Sequence, residues 1–446
     1  MLDDVGMRFC PRHFAVLAAI LLSQPAQAQS TSRPSRPGAS PAEQLSLGRA
    51  VERFGRENLR LVAGRYAINA ARADIIAAGL VPNPRLSLAT SFHVHGEPDS
   101  ADQQYSVMLS QSLPLWGRLG ASKDAASLTA SATERSFAAD GWQLLGELRR
   151  AYLALQLAAG QHLVLQHGLR DLESVQRVLD ARTAAGANPE YDRVRLEVER
   201  GSLRARIARA EVAVSEAGAD LADAIGGTPQ TAELVAVDAL AEPLDESRDA
   251  SALVRFALAH RQEIAAMRLE TGAAEARVRA TRRRFAPEPE LGIGYARWSG
   301  IPGATAGNSG GALLASAAIP LPIFDRGQGT IERQLEQSRA ARVHERDFQN
   351  AVEREVERAA HTLALTTAAY RAFREEASHN AEAVRRIAEV TYREGRGTIL
   401  ELLDAYSSYL RVEEQALELR GAALFAALQL EQAIGPMESK PRAGAP

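Results

Sequence analysis

The 446-residue chain is 46% hydrophobic and 24% charged, has only 5% aromatic residues, and carries a formal net charge of −3. That balance suits alanine- and leucine-rich helices around a large core and gives no electrostatic footprint for nucleic acid. The sole cysteine is Cys10, so beyond the first residues neither disulfides nor thiolate metal ligands are available.

Residues 1–28 read as a secretory signal peptide: Arg8 and Arg12, the apolar run Phe14 to Leu22, then Ala26-Gln27-Ala28 as a small-residue cleavage site near Ala28. Asp3 and Asp4 are unusual in such a leader, and Met7 is an alternative start to Met1. After Leu22 no apolar run approaches the roughly 20 residues of a membrane-spanning helix. The exported chain is therefore either soluble or inserted as a β-barrel. Residues 29–41, rich in Ser, Pro and Arg, are expected to be a flexible arm.

Ser40-Pro41-Ala42-Glu43 has the spacing of a capping box and predicts a helix from there to about Gly79. At Pro82-Asn83-Pro84 the pattern changes to alternation. Leu86, Leu88, Thr90, Phe92 and Val94 share one face, with Ser87, Ala89, Ser91, His93 and His95 on the other. After Gly96-Glu97-Pro98-Asp99 it resumes, with Tyr105, Val107 and Leu109 against Ser106, Ser110 and Ser112. Two strands are expected, about 85–95 and 104–113. Each has about the ten residues that a tilted strand needs to cross a bilayer, although a soluble hairpin with one wet face has the same pattern.

A long helical hairpin is expected over about 117–226, turning at Gly186 and restarting at Asn188-Pro189. Residues 227–250, with Pro, Asp and Glu, read as a linker. The plan then repeats over 251–435: a helix to Phe285, Pro287-Glu288-Pro289, strands at about 290–298 and 311–320, and a second helical hairpin at about 326–434. Residues 436–446 form a tail. From Thr330 to Glu394 there is neither proline nor glycine, which predicts a rod of roughly 100 Å at about 1.5 Å per residue. Phe348, Val352, Ala359, Leu363 and Tyr370 recur along it at spacings of four and seven, as in a coiled-coil seam. Gly395 can end the rod in a left-handed cap, and Thr398 with Glu401 reads as the capping box of the return helix.

Pro84 with Pro289, Pro114 with Pro322, Gly186 with Gly395 and Ile225 with Ile434 are all 205 to 209 residues apart. So steady an offset predicts an internal duplication, 42–226 and 251–435. The fold class expected is mainly α with a small membrane β-barrel, each repeat being a helix, a β-hairpin and a long helical hairpin. Four strands cannot enclose a lumen; three chains would supply twelve and leave no free edge.

This plan, with the segment Pro320-Leu321-Pro322-Ile323-Phe324-Asp325-Arg326-Gly327-Gln328-Gly329 and the stretch Tyr392 to Ala405, resembles the TolC-type outer-membrane efflux factors, in particular their heavy-metal (cobalt–zinc–cadmium) branch. The resemblance implies a homotrimer with a twelve-stranded barrel in outer-membrane lipid and an α-helical coiled-coil tunnel through the periplasm. It also implies docking to a periplasmic adaptor and an inner-membrane efflux pump. Such a duct is no enzyme and needs no cofactor, and divalent heavy-metal cations are its expected cargo. Multidrug efflux or type I secretion uses the same fold, and a secreted coiled-coil structural protein is the reading from a different class. Many relatives carry a lipidated N-terminal cysteine, which this sequence lacks after its apolar run.

By the same resemblance Glu401 and Asp404 fall where the family has acidic rings at the periplasmic constriction. The residues alone read equally as a cap and a solvated charge. Asp192 falls where the family pairs an aspartate with an arginine of the other hairpin. The matching arginine position here is Gly397, with Arg396 one residue earlier. Gly186 and Gly395 are the expected adaptor-docking tips. His93 and His95, at i and i+2 without a third ligand, are weak metal ligands, and His162 and His167 read as surface residues.

Overall fold

A computed structural model describes residues 43–92, 103–184, 190–226, 234–243, 249–299 and 310–436. The first half of the chain runs through β1 (Glu43–Leu45), α1 (Leu47–Glu57), α2 (Leu59–Ala78), β2 (Arg85–Phe92), β3 (Gln103–Ser112), α3 (Arg118–Ala184) and α4 (Glu190–Ile225). After β4 (Leu234–Ala236), the second half comprises α5 (Ala250–His260), α6 (Gln262–Arg284), β5 (Glu290–Ser299), β6 (Gly310–Ala318), α7 (Gln328–Phe373), α8 (His379–Arg393) and α9 (Ile399–Ile434).

The four long strands form one antiparallel sheet in the order β2-β3-β5-β6, with β2 and β6 at its edges. Register follows from side-chain alternation. Leu86, Leu109, Ile293 and Ala315 lie in one cross-strand row, and Leu88, Val107, Tyr295 and Leu313 in another on the same face. That face is open: Leu88 is 73% exposed, Ile293 70% and Leu313 89%. The opposite face carries small residues, with Ala89, Ser106, Ala296 and Ala312 in one row. Gly294 lies on this face, where a Cβ would sit 2.5 Å from the Val107 carbonyl oxygen, so the strand admits no side chain there.

Two hydrophobic clusters join the short helices to the long ones. Leu148, Leu221 and Ile225 pack with Leu45 and Phe54 in the first half, and Val356, Leu430 and Ile434 pack with Leu253 and Ile264 in the second. The two short-helix breaks also correspond but use different chemistry. At α1–α2, buried Asn58 caps α2 by accepting from the Arg60 and Leu61 N–H groups and donates to the Ala224 carbonyl. At α5–α6, Arg261, 4% exposed, donates to Glu355 at 2.7 Å and to the Ala433 carbonyl at 3.1 Å.

Three expectations need correction. Glu43 does not stand at the start of a helix. Residues 43–45 are a strand parallel to β4, and the helix begins after Ser46, whose hydroxyl accepts from the Arg49 N–H. Pairing with a strand about 190 residues away, together with complete burial of Leu45, overrides the local capping signal.

The 227–250 linker contains a structured strap. Asp238 accepts from the Leu47 N–H at 2.7 Å and from the Tyr152 hydroxyl at 2.8 Å, while Glu242 accepts from Tyr370 at 2.8 Å and pairs with Arg374 and Arg420. Third, the second rod is interrupted by a π-helical turn, Arg374–Ser378, beside that strap. Neither proline nor glycine announces it, and it resets the register between α7 and α8.

Candidate functional site

The far ends of the two hairpins form a tip whose core is a coiled-coil seam. Leu165, Leu172 and Leu179 on α3 and Leu196, Leu203 and Ala210 on α4 recur every seven residues, meeting Ile399, Leu402, Leu403, Tyr406 and Leu410 of α9. α8 ends in a Schellman motif. The Arg396 N–H bonds the Thr391 carbonyl and the Gly395 N–H bonds that of Tyr392, with Gly395 at φ 73°. The capping box of α9 is complete: Glu401 N–H to the Thr398 hydroxyl at 3.3 Å, and Thr398 N–H to the Glu401 carboxylate at 2.9 Å.

The structure brings together a pair that sequence reasoning missed. The Tyr392 hydroxyl, 1% exposed as a residue, donates to Asp192 at 2.8 Å and so joins α8 to the first turn of α4. Arg396 is not Asp192's partner within the chain; it is exposed and pairs with Glu394. A guanidinium one residue off the matching position points along the turn instead of across to the other hairpin. The signal for Tyr392 was its place at the last turn of a helix facing an acidic helix start. Glu401 is exposed and folded back into its cap, and Asp404 is exposed one turn further along α9. Gly186, His93 and His95 lie outside the described residues. His162 stands 3.6 Å from Glu211 on the α3–α4 surface.

Beside the Tyr392–Asp192 hydrogen bond lies a partly buried charged cluster. The Arg385 guanidinium covers the Tyr406 and Tyr409 rings at 5.5 and 5.0 Å and lies 3.8 Å from Glu389. Burial pushes the Asp171 carboxyl above its ordinary range, with nearby Arg385 opposing; burial raises Glu413 likewise, with Glu382 adding to it. An acid with a raised folded pKa contributes stability that grows as pH falls through the raised value and is complete below the unfolded value of about 4. Amide protection in α8, corrected for the base-catalysed intrinsic exchange rate, should therefore rise as pH falls through that window. Asp171→Asn should flatten its share of the slope, and an unchanged profile would remove Asp171 from the linkage.

Among the described residues no helix is long and apolar enough to cross a membrane. A family model described as outer membrane efflux protein matches residues 53–227 and again 253–436. The chain belongs to that family. Its members are outer-membrane efflux channels, and the two matched stretches run from α1 to the end of α4 and from α5 to the end of α9.

Among relatives of this family member, the cobalt-zinc-cadmium resistance protein CzcC of Cupriavidus metallidurans is 24% identical over 394 residues, covering 88% of this chain and 90% of that protein. The pyoverdine export outer membrane protein OpmQ of Pseudomonas putida is 25% identical, covering 86% and 84%. In fold, the outer-membrane channel OprN superposes with a TM-score of 0.71 at 19% identity, covering 87% of this chain and 89% of that one. CusC follows with a TM-score of 0.70 at 20% identity, covering 87% and 92%.

Proposed function

We propose that three copies of this chain close a twelve-stranded barrel in the outer membrane, continued by a periplasmic tunnel of helical hairpins, as the exit duct of a tripartite efflux system. The observation that carries this reading is the open sheet. Among the described residues its edges β2 and β6 each lack a second strand partner, and its exposed face is an apolar band of the kind that faces lipid. α3 alone, at 67 residues, is about 100 Å long, enough to carry the lumen away from the membrane. A periplasmic adaptor and an inner-membrane pump would deliver cargo to the hairpin tips at Gly186 and Gly395, and the signal peptide would be cleaved near Ala28.

The cargo is divalent heavy-metal cations, a reading supported by the relative CzcC and by the Pro320–Gly329 segment. Deleting the gene should sensitise cells to zinc, cadmium or cobalt. Unchanged metal tolerance with lost siderophore export would instead favour the reading suggested by OpmQ, and new dye or antibiotic sensitivity would favour multidrug efflux.

At Gly395 a partner's backbone could approach closely, since no atom lies within 4 Å of the position a Cβ would take. Its positive φ costs a β-branched residue about 1–2 kcal/mol. Gly395→Val should abolish efflux while leaving trimer assembly intact, and wild-type efflux by that variant would rule out tight docking at this turn.

The tip is also the proposed gate. Tyr392–Asp192 latches one hairpin to the other in each chain. Three copies of Glu401 and Asp404 around one narrow axis would lie within roughly a Debye length of about 8 Å, attracting cations. Asp404, with no cap to serve, is the stronger of the two candidates. Glu401→Ala with Asp404→Ala should lower cation selectivity in planar bilayers and relieve block by multivalent cations. If the double variant is blocked like wild type, the ring lies elsewhere.

A further inference from the structure

The segment Pro320–Gly329, on which the resemblance to the heavy-metal branch leans, is not used by the gate or the tunnel. It lies where β6 leads into α7, and its side chains face outward: Leu321 is 71% exposed, Ile323 60% and Phe324 91%. The corresponding turn of the first half exposes Leu115 at 60% and Trp116 at 57%. Between the two turns stands the C-terminal end of α6. The Trp116 indole donates to the Pro287 carbonyl at 2.6 Å, Arg283 donates to the Gly117 carbonyl at 3.0 Å, and Arg118 pairs with Glu288. On the other side the Phe285 ring fills the space against Gly327. One collar at the foot of the sheet therefore joins greasy turns to a basic helix end.

The basic end is dense. Arg282, Arg283 and Arg284 occupy the last turn of α6, and Arg279 lies one turn earlier; all four are exposed. Among the described residues Arg279, Arg282 and Arg284 have no ion pair, and the nearby Glu288 is taken by Arg118. Helix ends favour a cation, but the partial charge there is only about half an elementary charge. The equivalent end of α2 has no basic residue in its last turn, so the fold does not require this cluster.

We propose that this collar binds anionic phospholipid headgroups of the inner leaflet, with the aromatic and aliphatic side chains in the acyl boundary and Arg279, Arg282 and Arg284 on the phosphates. The inference rests on the reading that the sheet is embedded in the outer membrane. Charge complementarity and continuity with the apolar sheet face argue for lipid: a guanidinium matches a phosphodiester with paired N–H donors, and aromatic side chains collect at the headgroup level. Such a collar would set the height of the barrel in the bilayer and the point where the tunnel begins.

The test uses the detergent-purified full-length assembly, exposed to an equimolar mixture of dioleoyl-phosphatidylglycerol and dioleoyl-phosphatidylcholine and then measured for retained lipid by native mass spectrometry. Wild type should retain phosphatidylglycerol over phosphatidylcholine by on the order of tenfold, and the preference should shrink as sodium chloride rises. Arg279→Gln with Arg282→Gln and Arg284→Gln should erase it without changing the mass of the assembly. If that variant fails to assemble, Arg282→Gln alone, read against the wild-type salt series, should give a partial loss. Equal retention of the two lipids by wild type, or a preference untouched by the substitutions, would overturn the proposal. A wild-type particle that is not a trimer in the same spectra would count against the barrel itself, a separate result.

Discussion

Ile293→Arg should prevent the chain from accumulating as a membrane-embedded trimer. Ile293 is near the centre of β5 on the exposed apolar face, in a row with Leu86 and Leu109. An arginine at the bilayer midplane of a barrel costs about 2–4 kcal/mol, and three copies would cost roughly 6–12 kcal/mol, comparable to the whole stability of a typical domain. Ser87→Arg, on the opposite face, would point into an aqueous lumen and should be tolerated. Outer-membrane fractions run unheated on a denaturing gel would show the difference as loss of the trimer band in the first variant only. Equal accumulation of both would mean that the apolar rows do not face lipid.

The second large effect is expected at the latch. Asp192→Ala and Tyr392→Phe delete the same 2.8 Å hydrogen bond, each at a cost of about 1 kcal/mol per chain. Over three chains that is about 3 kcal/mol, a shift on the order of 100-fold towards the open tip. Both variants should raise single-channel conductance, and the double variant should add little to either, because one interaction cannot be lost twice. Arg396→Ala should change little, since an exposed pair such as Arg396–Glu394 contributes about 0–1 kcal/mol. If Arg396→Ala alone opened the channel, the closure pairing would run through the arginine in the assembled trimer.

Features written in short-range chemistry could be read from the sequence. Proline cannot continue either periodicity, so Pro84, Pro114, Pro289 and Pro320 stand beside the ends of β2, β3, β5 and β6. Gly395 and Thr398 carry the backbone and side-chain demands of a helix end, and both are met in the structure. What the sequence hid depends on distant partners. β1 exists because β4 pairs with it, and the strap at Asp238 and Glu242 is ordered by Tyr152, Tyr370 and Arg374, each at least 86 positions away. Arg374–Ser378 is unremarkable in composition, so a π turn there leaves no local trace.

The candidate site divides along the same line. Glu401 is read correctly as a cap from its spacing alone. For Asp192, the partner within the chain is Tyr392, fixed by how α4 and α8 lie against each other, and no motif offset supplies that. A tyrosine one turn before Gly395 reaches across; an arginine one residue after it does not.

The most direct test of the account is the mass and conductance of the particle extracted from outer membranes. Three chains closing one barrel predict that the protein requires detergent, that its native mass is three times that of the mature chain, and that it forms discrete channels in planar bilayers. A freely soluble monomer that leaves bilayers silent would contradict it.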